Sequence, residues 1–183
     1  MFHTIFKIFK NSNFGIRIDY IYYLFNSTEF CDFLKNTKYL QGLRLISSKD
    51  NFKFRMILQG LTLNKTIKFL ALEHLKLGNF KTDFISLISS NTLISTLFLR
   101  ECSYYSLKVD LEFIEAVLKN KKLLYLILED GFIINRECAS KLGESNLRGI
   151  KFNEDKIDDQ SKEIIYRNIH KIESYSSFDK YEI

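Results

Sequence analysis

The stretch Ile94-Ser95-Thr96-Leu97-Phe98-Leu99-Arg100-Glu101-Cys102 places apolar residues at its first, fourth and sixth positions. The same spacing occurs earlier as Leu40-Gln41-Gly42-Leu43-Arg44-Leu45 and as Ile67-Lys68-Phe69-Leu70-Ala71-Leu72. It returns as Leu123-Leu124-Tyr125-Leu126-Ile127-Leu128 and as Leu147-Arg148-Gly149-Ile150-Lys151-Phe152. The starts Leu40, Ile67, Ile94, Leu123 and Leu147 are nearly evenly spaced, and every key position in the five copies is apolar. In a chain that is 46% apolar, a fixed register would do this by chance about once in 10⁵. A sixth match, Leu58 to Leu63, falls off the period and reads as a helix and its end.

A second period runs between the copies. Apolar pairs fall at one shared offset from three of the starts, at Ile57/Leu58, Phe84/Ile85 and Ile164/Ile165. Leu61 and Ile88 each stand one helical turn beyond the first member of their pair, on the same face of a helix. The third copy carries its stripe later, at Ile114, Val117 and Leu118, and the fourth has Cys138, Ala139 and Leu142. Asn64, Asn91 and Asn120 each shortly precede the next copy, where a turn residue tolerant of the left-handed conformation is expected.

Strand, turn, helix and turn in units of roughly 24–29 residues resemble the leucine-rich repeat, in its long ribonuclease-inhibitor-like class. The family pattern L-x-x-L-x-L-x-x-N/C-x-L is best matched by Ile94, Leu97, Leu99, Cys102 and Tyr104. At the N/C position the other copies depart from it, with Ser48, Leu75, Gly131 and Asp155. The resemblance implies an α/β fold, a right-handed β-α superhelix with a parallel concave sheet and helices on the convex face. Residues 1–39 are then an N-terminal cap with a degenerate strand at Phe14 to Ile18 and a helix opened by Thr28 and Glu29. Residues 40–170 hold about five repeats, and residues 171–183 form a tail.

Composition narrows the function. Net charge +5 and a pI near 9.0 would ordinarily suggest a polyanionic partner. Lys outnumbers Arg 20 to 7, however, and Phe, Tyr, Met, Ile, Asn and Lys total 84 against 17 for Gly, Ala, Arg and Pro. An AT-rich coding sequence produces that skew without selection for phosphate binding, so neither nucleic acid nor membrane is the expected partner. No apolar run reaches the length of a membrane span. MFHTIFKIFK is broken by Lys7 and Lys10 and lacks a cleavage site, so no secretory leader is expected. Cys31, Cys102 and Cys138, none in a CxxC, suit reduced thiols in a cytoplasm.

Residues for enzyme chemistry are sparse. His74 sits at a turn, and no short Cys or His spacing suits zinc, so no metal, cofactor or catalytic residue is assigned. If positions one, four and six of each copy point inward, three and five point onto the concave sheet. In the middle copies five of these six are apolar, Phe69, Ala71, Phe98, Tyr125 and Ile127, with Thr96 the sixth, and position seven borders them with Glu73, Arg100 and Glu129. An apolar centre with a charged rim is the anatomy of a protein interface, which makes these eight residues the candidate site. Phe69, Phe98 and Tyr125 are expected to be substantially exposed there.

The resemblance implies a monomeric recognition module in the cytoplasm, or in a host's cytoplasm if it is a delivered bacterial effector, that binds another protein and is not an enzyme. The alternative is a GTPase regulator resembling the Ran GTPase-activating proteins, for which Arg100 is the candidate arginine. Lysine-driven binding to RNA or acidic membrane is the third reading.

Overall fold

The computed structural model describes residues 14–19, 27–46, 54–90, 93–102 and 109–173. Strands β1 (Phe14–Asp19), β2 (Leu40–Ile46), β3 (Phe69–Glu73), β4 (Thr96–Arg100), β5 (Tyr125–Glu129), β6 (Gly149–Phe152) and β7 (His170–Lys171) form one sheet in sequence order. Every neighbouring pair is parallel. Between strands run α1 (Ser27–Asn36), α2 (Phe54–Leu63), α3 (Lys81–Ser89), α4 (Leu111–Lys119), α5 (Arg136–Leu142) and α6 (Asp159–Asn168), with short 3₁₀ turns at Leu77–Phe80 and Glu154–Lys156. Each helix packs on the next in the series. The fold is therefore a repeated strand–helix unit, and no described helix is long and apolar enough to cross a membrane.

The register shows why the spacing recurs. Leu43, Leu70, Leu97, Leu126 and Ile150 pair as direct neighbours, as do Leu45, Leu72, Leu99, Leu128 and Phe152. All ten are buried with the helix stripe residues Ile57, Leu61, Phe84, Ile114 and Leu142 in a single core. A parallel sheet laid down in sequence order brings equivalent positions side by side, so a residue suited to the core in one unit is suited in the next. Gly60 marks a close helix contact. A Cβ there would lie 2.9 Å from the Cys31 carbonyl oxygen, so α1 and α2 could not pack this closely with a larger residue.

Local signals set the helix starts. Asp110, Asn135 and Asp158 accept backbone N–H bonds from Phe113, Cys138 and Ser161, the N-cap arrangement that satisfies otherwise orphaned donors. Burial opposes the charge on Asp110. Hydrogen bonds from Lys81 Nζ (2.7 Å) and the Phe113 N–H (3.1 Å) outweigh it and hold this carboxyl below its ordinary range.

The asparagines act differently from the turn role expected of them. Asn120 is extended (φ −81°, ψ 101°), and the only described non-glycine residues with positive φ are His74, Glu101 and Asp130. Asn64 and Asn120 are buried and work through their side chains. Asn64 Nδ2 donates to the Leu34 carbonyl (2.6 Å), while its Oδ1 accepts from the Thr66 and Ile67 N–H groups. Asn120 repeats this with the Ile88 carbonyl (2.7 Å) and the Lys122 and Leu123 N–H groups. Each clamps the start of a strand to the helix end of the preceding unit. Asn91 lies outside the described residues. Asn120→Ala strands a buried carbonyl and two amides, at an expected cost of about 2 kcal/mol. Urea unfolding should show that loss beside less than about 0.5 kcal/mol for the exposed Asn146→Ala, and equal effects would refute the clamp.

Candidate protein-binding face

Register assembles the eight candidate residues on one face. Phe69 lies beside Thr96, which lies beside Tyr125. Ala71, Phe98 and Ile127 form the next row, and Glu73, Arg100 and Glu129 the row after it. These rows belong to the face opposite the helices, because their apolar cluster of Ala71, Phe98 and Ile127 contains no helix residue.

Exposure is where the expectation fails. Phe98 is only 7% exposed, Ala71 and Ile127 are buried, and Phe69 and Tyr125 are half-buried. The register is not at fault, since Leu97 and Leu126 lie in the other core. Neighbouring side chains about 4.8 Å apart shield one another, and Phe69 and Ile172 pack against the row. Gly149 makes room for this. A Cβ at that position would meet Ile172 Cγ1 at 2.9 Å and Tyr125 Cδ1 at 3.0 Å. The apolar residues thus form a second, smaller core.

The charged row is a continuous chain of ion pairs across five strands. Arg44 Nε lies 2.6 Å from Glu73 Oε1, and Arg100 Nη1 lies 3.5 Å from Glu73 Oε2. Arg100 then donates to Glu129 Oε2 through Nη2 (2.8 Å) and Nε (3.0 Å). Lys151 Nζ closes the chain 3.0 Å from Glu129 Oε1. The Glu73 side chain is only 3% exposed, a burial sustained by an arginine on each side. The Arg100 guanidinium also stands 5.5 Å from the centre of the Phe98 ring. Arg44 and Lys151 are outside the eight residues read from sequence. They belong to position five, at the two ends of the Ala71–Phe98–Ile127 row, and lean across to position seven.

The strand ends share a turn that the residue types did not announce. His74, Glu101 and Asp130, at the eighth position of successive copies, have φ of 55°, 51° and 55°. The backbone ladder continues through them, with His74 N–H bonding the Arg100 carbonyl (2.9 Å) and Glu101 N–H the Glu129 carbonyl (3.1 Å). His74 Nδ1 lies 2.7 Å from Glu101 Oε2, a pairing between adjacent turns. Next in sequence, Cys102 is buried, and its thiol donates to the Leu72 carbonyl (3.1 Å). Burial pushes that thiol up to about 12, so it remains a neutral hydrogen-bonding group of the turn.

Among the described residues, no group of three or more His, Cys, Asp or Glu side chains is placed to hold a metal ion. Comparison of the chain with protein-family models, with curated proteins and with solved structures finds no match.

Proposed function

We propose that this chain is a recognition module of the leucine-rich-repeat type, which binds a partner protein on the sheet face opposite its helices and performs no catalysis of its own. The reading includes a right-handed superhelix with that face concave, since parallel strand–helix–strand crossovers are right-handed in about 98% of cases. It is a monomeric protein of the cytoplasm on the same reading.

The observation that carries it is the ion-paired row Arg44–Glu73–Arg100–Glu129–Lys151 beside the apolar row Ala71–Phe98–Ile127. Alternating charges held in fixed positions favour one docking register and penalise others. The half-buried Phe69 and Tyr125 serve as anchors, with Ala71, Phe98 and Ile127 as the floor that holds them.

Capture from cell lysate with wild-type and Phe69→Ser/Tyr125→Ser chains tests the proposal. A specific captured protein should be lost with the double variant and kept with the helix-surface control Ser86→Lys. Retention by the double variant, or equal loss with the control, would remove this face as the binding site.

A further inference from the structure

The edge of the sheet where helices lead into strands differs in character from the edge where strands lead into helices. In a sheet whose strands are all parallel, every connection from helix to strand emerges at the same end. Those connections are bound to one another: Lys68 N–H donates to the Gln41 carbonyl, Ser95 to Lys68, Leu124 to Ser95, and Arg148 to Leu124, at 2.7–2.8 Å. They form a rim that crosses β2 to β6, about 19 Å at the usual strand spacing.

The rim is basic. Lys38 comes from the first connection, Lys65 and Lys68 from the second, Lys121 and Lys122 from the fourth, and Arg148 from the fifth. All six are exposed, and none forms an ion pair with a described residue. The one acidic residue among the described positions of these connections is Glu144. The opposite rim, where the helices begin, mixes cations with many carboxylates; Lys81 and Arg55 are ion-paired there, while Arg136 and Lys156 are exposed. Lys81 contacts Asp110 (2.7 Å) and Glu112 (2.6 Å), and Arg55 contacts Asp83 (2.9 Å). Coding bias accounts for how many lysines the chain has; what marks this rim is that its described connections hold six cations and one carboxylate.

The same rim holds Tyr39, Leu63 (51% exposed) and Leu93, three of the four exposed large apolar side chains among the described residues. Tyr39 and Leu93 directly precede copy starts, and Leu63 ends α2. We propose that this rim docks the protein onto an anionic lipid surface, with the lysines meeting headgroups and Tyr39, Leu63 and Leu93 entering the headgroup–acyl boundary. Lysine suits that surface because its compact charge sits on a long apolar stem and makes no directional demand. Exposed leucines between the cations add apolar contact with acyl chains. A nucleic-acid surface would rely on arginine and stacking aromatics, and this rim has one arginine and one tyrosine.

Sedimentation of the full chain with vesicles tests this. Binding should appear with vesicles of phosphatidylcholine containing about 30% phosphatidylserine, should fall with added salt, and should be absent from pure phosphatidylcholine. Each charge removed should weaken it about five-fold, and Lys65→Gln/Lys121→Gln about 25-fold, with the unfolding midpoint unchanged. The variant Lys68→Gln/Lys122→Gln should repeat that loss, so poor folding of one pair cannot mimic it. Leu63→Asn should weaken the binding that survives at high salt. Equal sedimentation with neutral vesicles, indifference to both double variants, or tighter binding of single-stranded RNA than of anionic vesicles would each overturn the proposal.

Discussion

Leu97→Ala should cost the fold about 2–5 kcal/mol, read as the loss of unfolding free energy in urea. Leu97 lies between Leu70 and Leu126 in register, on the side of β4 that meets the helices, and is almost wholly buried. Truncation removes both the transfer free energy of the side chain and its contacts with the surrounding core. That core has little freedom to close the gap, because the ladders of β3 and β5 hold Leu70 and Leu126 at the sheet spacing. The upper half of the range is therefore expected. A loss below about 1 kcal/mol would place Leu97 outside the core and undo the assignment of positions four and six to it.

The strands were readable because a parallel sheet in chain order imposes the same demand on equivalent positions of every unit. Leu40–Leu45 and its four counterparts all contain or overlap strands of the sheet. The degenerate Phe14–Ile18 segment and the helix from Thr28 were legible from local pattern, and both form as β1 and α1. Strand β7 was not, since His170–Lys171 is two exposed polar residues with no apolar pattern, joined to the sheet edge by backbone bonds. The left-handed turns were also hidden. Glu101 is a poor advertisement for positive φ, and only superposition of equivalent positions exposes the series His74, Glu101, Asp130.

The face opposite the helices was located but given the wrong solvent exposure. Alternation suggested one wet face, which is the habit of antiparallel sheets. Parallel strands are more often buried on both sides and then read as continuous apolar runs. Leu123-Leu124-Tyr125-Leu126-Ile127-Leu128 is such a run, and in β5 Leu126, Ile127 and Leu128 are all buried. That signal was present in the residues. The ion-pair chain was partly legible as alternating Glu73, Arg100 and Glu129, but Arg44 and Lys151 join it by reaching across from another row.

Two-sided burial changes what a substitution at Phe98 should do. Were the ring exposed, Phe98→Ala would leave stability nearly untouched and act only on a partner. With 7% of the residue exposed, and with Ala71, Ile127, Phe69 and Ile172 around it, the same change should cost about 3 kcal/mol or more. Removing the ring also takes away the surface over which Arg100 lies, which adds to the loss. A destabilised Phe98→Ala chain would not signal a one-residue slip of register, as it would in a sheet wet on one side. A slip would exchange the two faces and leave Leu97 tolerant, whereas here Leu97→Ala and Phe98→Ala should both lower the urea midpoint. Adjacent residues on opposite faces, each costly to truncate, are the signature of a sheet with a core on either side. If Phe98→Ala unfolds within about 0.5 kcal/mol of wild type, the range of an ordinary surface substitution, while Leu97→Ala is strongly destabilised, the smaller core is not a core. The candidate face would then be open to a partner across its whole apolar row.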